Sequence, residues 1–206
     1  MTKNKAKEQT ALQTKEKSER ELALAILLEV EKGEKSHLVL RSVLEKYQYL
    51  DKQERAFLTR LTEGTIERTL ELDYIINQYS KTKVQKMKPV IRNILRMAVY
   101  QITYMDNVPD SAACNEAVKL AGKKGFGTLK GFVNGVLRSI VRSKEQILYP
   151  EEACTEKYLS VKYSMPEWIV TMWLKDYGRE KTEEILKSFY LSRPTTIRVN
   201  ENQIHF

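Results

Sequence analysis

Two cysteines, two histidines and five prolines among 206 residues leave little material for thiol or metal chemistry. Cys114 and Cys154 share no metal-knuckle or redox-pair spacing, so both are expected as reduced, partly buried thiols. His37 and His205 are the only histidines. No carboxylate cluster stands at ligand spacing, so no metal is expected. No apolar run approaches the ~18 residues that cross a bilayer, and Met1–Arg20 has lysines but not the apolar stretch of a secretory signal. The expectation is a cytoplasmic protein without a membrane partner. No Ser-His-Asp or Cys-His arrangement marks a nucleophile. The corner Gly122-Lys123-Lys124-Gly125-Phe126-Gly127 follows a helical pattern and matches neither GxGxxG nor GxxxxGK[ST]. It reads as helix termination, and no catalytic or cofactor-binding residue is predicted in this chain.

Acidic residues are the most informative shortage. From Ala117 through Lys144 there is none, and residues 81–144 carry 13 basic against 3 acidic groups, +10 within a chain whose total is +8. A solvated helix exterior interleaves both signs. One-signed clustering is instead the footprint of a phosphate-backbone binder, so RNA is the expected partner. Lys88, Arg92, Arg96, Lys123, Lys124, Lys130, Arg138 and Arg142 are expected to form one RNA-binding surface along two neighbouring helices. Leu129–Arg142 (LKGFVNGVLRSIVR) shows the design: Leu129, Phe132, Val133, Val136, Leu137, Ile140 and Val141 share one helix face. Lys130, Asn134, Arg138 and Arg142 fall on the other, where Gly131 and Gly135 leave room for a close approach. Tyr100 and Tyr104 could stack on bases, but their place beside an apolar stripe reads better as packing at the core edge.

What is present is helical throughout most of the chain, with 42% apolar and 30% charged residues, enough for a sizeable core. Residues 1–18 have few large apolar side chains and read as a flexible basic arm. A helix starts near Glu19 on the stripe Leu22, Ala25, Ile26, Val30 and ends at Gly33. A second follows Ser36 as N-cap, with Leu38, Val39, Val43, Leu44 and Tyr47 inward. Asp51 to Glu54 has the capping-box pattern and predicts one long helix to about Tyr79, with Gly64 as a close packing point. Pro89 suits a first helical turn. There Val90, Ile91, Ile94, Leu95, Ala98, Val99, Ile102 and Met105 face inward, and Lys88, Arg92 and Arg96 outward. Ser111–Gly122 is a short helix. Residues 145–192 predict connector helices near 152–163, 164–177 and 179–191. Ser164 to Glu167 is read as a capping box there, and Trp168, Ile169, Met172 and Trp173 as the apolar face. Residues 193–206 begin with an extended, β-branched run, Arg193–Asn200, whose strand partners are expected in sequence that follows.

Ile94–Gly125 (ILRMAVYQITYMDNVPDSAACNEAVKLAGKKG) and Leu129–Ile140 (LKGFVNGVLRSI) resemble the NusB-like N-terminal domain of the RsmB/Sun (Fmu) family of 16S ribosomal RNA cytosine-C5 methyltransferases. The MPEWIVTMW and RPTTIRVN segments look like the family's connector and first strand. The resemblance implies an all-α, NusB-like RNA-binding domain over 19–144, built as two packed three-helix bundles. Connector helices over 145–192 and the start of a truncated C-terminal α/β methyltransferase region over 193–206 would follow. It also implies 16S ribosomal RNA and the protein's own methyltransferase domain as partners, and S-adenosylmethionine as cofactor of the full-length enzyme. The family's catalytic cysteine follows a proline, whereas the five prolines here precede Val90, Asp110, Glu151, Glu167 and Thr195. This chain alone is therefore expected to be inactive. Free-standing NusB antitermination factors share the helical domain and provide the alternative reading, but the resemblance implies that they end near Arg142.

Overall fold

Side-chain caps open the first bundle. Ser18 Oγ accepts from the Glu21 amide at 3.4 Å while Glu21 accepts from the Ser18 amide, and Asp51 and Glu54 exchange the same pair of bonds at 2.8 Å each. These reciprocal bonds satisfy amides that a helix start otherwise leaves orphaned. They begin α1 (Glu19–Glu31) and α3 (Lys52–Glu67). Gly33 (φ 106°) and Gly125 (φ 85°) close helices from the left-handed region: the amides after them reach back to Glu29 and Ala121 carbonyls at 3.2 and 2.9 Å. That is the Schellman arrangement, so the glycine corner does terminate a helix.

The computed structural model describes residues 17–191, and among them there are nine α-helices and no strand. The basic arm falls outside them up to residue 16, as does the expected strand over 193–200. After α1 come α2 (Ser36–Lys46), α3, α4 (Thr69–Tyr79), α5 (Pro89–Tyr104), α6 (Asp110–Lys123), α7 (Lys130–Arg142), α8 (Thr155–Lys162) and α9 (Glu167–Ser188). Helices α1, α3, α4, α6 and α7 all pack on α5, and α2 packs on α1 and α3. Pro89 occupies the first turn of α5 as expected. Ile91, Ile94, Leu95, Val99 and Ile102 are at most 2% exposed, each worth roughly 1.5–3 kcal/mol relative to an exposed side chain.

Several expectations change. Ser36 is the first residue of α2, not its cap; Lys35 holds that position without a side-chain bond. On α1, Ala25 is exposed while Ala23, Leu24 and Leu27 are buried, because α1 is covered by α2, α3 and α5 together. On α2, Leu38 points outward and Leu40 inward. The long helix over 51–79 is two helices, broken at Arg68 (φ −98°, ψ 13°). Ser164 does not cap the connector helix, whose N-cap is Pro166. Held at φ 49°, it accepts instead from the Leu70 and Glu71 amides at 2.9 and 3.5 Å, capping α4 from 94 residues away. Cys154 is exposed and only Cys114 buried.

The same break carries the junction to α8 and α9. Glu71, 2% exposed, accepts from the Tyr104 hydroxyl and from Tyr149 Oη at 2.5 Å. Arg68 donates to Glu71 at 3.2 Å and to the Lys162 carbonyl at 3.3 Å, with the Tyr190 ring centroid 3.6 Å from its guanidinium. Burial, and then the Glu71 charge and its hydrogen bond, push both phenols well above their ordinary range. Leu159, Tyr163, Val170 and Leu186 form a small separate core for α8 and α9. Of the expected apolar face of α9, Trp168 and Met172 remain 67% and 45% exposed. Gly178 (φ 74°, ψ 173°) is non-helical and divides α9 into two helical segments, as the expected helices near 164–177 and 179–191 require.

Gly64 is the close packing point: a Cβ there would lie 2.0 Å from the Tyr100 ring. Because Tyr100 is 8% exposed and cannot swing out freely, Gly64→Ala is expected to destabilise the chain by about 1–3 kcal/mol in denaturant unfolding, and adding Tyr100→Leu should recover part of that loss.

Candidate nucleic-acid interface

The eight basic residues read from the sequence do not form one surface. Arg96 Nε and Nη2 meet the two Asp73 oxygens at 2.6 and 2.7 Å, and Nη1 reaches Glu31 at 3.1 Å. Arg92 Nε donates to the same Glu31 oxygen at 2.8 Å, and Asn93 Nδ2 to the other at 3.2 Å. The Arg92 and Arg96 side chains are 17% and 12% exposed. Burial alone would lower the Arg96 guanidinium, but the bonds and charges of Asp73 and Glu31 outweigh it and hold it above its ordinary value. What reads as an outer face of α5 is thus an internal ion-pair network. Its partners lie 23 to 65 residues away in sequence, and no local spacing signals them.

The remaining cations divide by position. Lys123 and Lys124 approach buried Glu21 at 2.7 and 3.4 Å. Burial would raise the Glu21 carboxyl, but the Lys123 hydrogen bond, the Ser18 amide and the two lysine charges hold it below the usual carboxylate range. Ten residues of α1, about 15 Å at 1.5 Å per residue, separate Glu21 from Glu31. Lys123 and Lys124 therefore sit at the opposite end of α1 from Arg92 and Arg96, while Lys88 is exposed just before α5. Lys130, whose side chain lies over Gly122, stays with Lys123 and Lys124. Helix α7 then runs back along α6. Arg138 bonds Asn134 at 3.1 Å and Arg142 bonds Ser139 at 3.3 Å, both exposed. Together with Ser111, Cys114 and Asn115 of α6 and Gly135 of α7 they line a groove of about 410 Å³. The apolar side of α7 is buried as expected, with Val133, Leu137 and Ile140 at 0%. One basic stripe results, from the α6 C-terminus along α7.

Tyr100 and Tyr104 belong to the core edge, the first against Gly64 and the second bonded to Glu71 under Arg68. Neither presents a free face for stacking. Among the described residues no group of three metal-ligating side chains occurs, and no helix is long and apolar enough to cross a membrane.

Residues 17–142, which take in α1 to α7, match the profile of the NusB family. The chain belongs to the NusB family. Transcription antitermination protein NusB of Desulforamulus reducens is 34% identical over 131 residues, 62% of this chain and 90% of that protein. Beyond the NusB-family helices, residues 165–206 match a second family, described as Methyltr_RsmF/B-like, ferredoxin-like domain. Probable ribosomal RNA small subunit methyltransferase B of Bacillus subtilis is 37% identical over 188 residues, covering 91% of this chain and 41% of that protein. The chain thus spans about two fifths of the length of that curated relative. Among solved structures, a NusB and NusE complex with double-stranded RNA matches with a TM-score of 0.56 and 23% identity, covering 61% of this chain and 94% of that one. That likeness establishes the NusB helical fold.

The two classes of arginine in this NusB-family bundle should separate experimentally. Arg96→Ala leaves Asp73 with little compensation and is expected to cost ~3 kcal/mol, the low end for breaking a buried pair. Arg142→Ala should stay within about 0.5 kcal/mol of the parent chain, as surface changes do. Urea unfolding of both variants measures the difference.

Proposed function

We propose that the NusB-family bundle is the RNA-binding module of an S-adenosylmethionine-dependent 16S ribosomal RNA cytosine-C5 methyltransferase. The observation that carries this reading is the pairing, in one chain, of an acid-poor basic stripe on a NusB-family bundle with an RsmF/B-like segment directly after it. Lys123, Lys124, Lys130, Arg138 and Arg142 would contact phosphates, which position a bound strand without reading its bases. Arg92 and Arg96 serve the bundle's own packing instead. Cofactor and catalytic cysteine belong, in this reading, to the part of the longer relatives that this chain does not span, and no residue here is assigned to either.

The NusB antitermination reading has its own support, 39% identity over 105 residues to the NusB protein of Symbiobacterium thermophilum. The RsmF/B-like segment gives the methyltransferase reading the advantage. Pull-down with NusE, compared with binding to a 16S ribosomal RNA fragment, separates the two.

On a single-stranded 16S ribosomal RNA fragment, each phosphate contact adds ~0.7 to the slope of log affinity against log salt. The Lys130→Ala, Arg138→Ala, Arg142→Ala triple variant should flatten that slope by about 2 while keeping the parent helical circular dichroism. An unchanged slope with an intact fold would remove the stripe from RNA binding. Methyl transfer from S-adenosylmethionine to ribosomal RNA should be absent for residues 1–206, and its appearance would place the chemistry within this chain.

A further inference from the structure

Four lysines, Lys81, Lys83, Lys86 and Lys88, lie in the nine-residue connection between α4 and α5 (SKTKVQKMK). All four are exposed, while the two large apolar residues among them turn inward, Val84 at 0% and Met87 at 7%. The backbone beneath is pinned. The Val84 amide donates to Asn77 Oδ1 at 2.9 Å, Ser80 Oγ donates to the Thr82 carbonyl at 2.7 Å, and the Met87 amide closes a single turn on Val84 at 3.0 Å. Four ammonium groups therefore stand on a fixed base, so a partner has side-chain freedom to restrict but no loop to order.

Nothing neutralises them locally. From Tyr74 through Met105 the sequence has no Asp or Glu, and among the described residues none of the four makes an ion pair. Glu31 and Asp73, the carboxylates that reach the first turns of α5, are already engaged by Arg92 and Arg96. The N-terminus of α5 adds to the positive potential: Lys88 provides no side-chain cap and Pro89 no amide, leaving the following first-turn amides and the positive helix end facing this loop.

The chemistry favours a polyanion of phosphates. A protein interface needs an apolar centre, and a membrane-surface element needs apolar anchors. Here both candidate anchors are buried. Lysines act as point charges that accept phosphates without demanding a fixed geometry. We propose that Lys81, Lys83, Lys86 and Lys88 form a second RNA-phosphate contact surface, at the Glu31 end of α1, distinct from the α6–α7 stripe at its Glu21 end. The proposal rests on the RNA-binding reading above and adds a second point of hold on the same nucleic acid.

The test uses the full 206-residue chain and a fluorescein-labelled, mixed-sequence single-stranded RNA of 16S origin. Replacing the four lysines by Gln should weaken binding about tenfold or more at moderate salt and reduce the log–log salt slope by up to about 2.8, with helical circular dichroism unchanged. Replacing them by Arg should keep both affinity and slope, since charge is what the surface supplies. If the Gln variant keeps the parent slope while the Lys130, Arg138, Arg142 variant loses it, RNA binding stands and the second surface is overturned. If neither variant changes, the RNA reading itself fails and this proposal with it. Should the parent chain bind phosphatidylserine vesicles through these lysines but not RNA, a membrane partner replaces the one proposed.

Discussion

A helix covered on every side cannot carry uncompensated charge, and α5 is such a helix with two arginines on it. Removing a guanidinium from water costs several kcal/mol unless opposite charge and hydrogen bonds meet it. Asp73 from α4 and Glu31 from α1 meet Arg96 and Arg92 with close bonds, and Asn93 completes the set. These contacts fix how α1 and α4 are rotated about α5 more specifically than apolar packing does, since an aliphatic side chain tolerates a shift that a bidentate pair does not. They also divide the bundle's cations into those that hold it together and those left for a partner.

The same rule governs the junction with the following helices. Buried Glu71 is held by two phenols and Arg68; one of these partners, Tyr149, lies beyond the NusB-family helices, as does the Lys162 carbonyl to which Arg68 also donates. Ser164 adds the cap that the start of α4 lacks within its own bundle. The chain after Arg142 is therefore joined to the bundle by polar bonds at this helix break, beside the Lys144–Asp110 pair and Ile147 packed on the bundle core. In the proposed enzyme that contact would carry orientation from the RNA-holding bundle to the RsmF/B-like segment.

Much of this was legible in the residues. The apolar periodicity of α7 and α5, the Asp51 capping box and Pro89 in a first turn all depend on neighbours within about four residues, and the structure keeps them. The errors share one cause. Local pattern places Ala25, Leu38 and Ser164, but their environments are set by how other helices pack on them. Ser164 is the clearest case: its spacing to Glu167 has the form of a capping box, yet its hydroxyl is used by α4, 94 residues away.

For the candidate site the division is sharper. The acid-free stretch from Ala117 to Lys144 follows from composition alone, and with it the existence of a basic stripe along α6 and α7. Which cations remain available does not follow from it. Arg92 and Arg138 look alike in sequence, each on a helix at four-residue spacing from another cation. Only the folded chain brings Glu31 to one and leaves the other in solvent. Helical character and net charge were determined by the sequence because they arise from residues in local succession. Charge compensation was decided by tertiary structure, because Coulomb energy depends on distance in space and on burial, and neither is written in the order of residues.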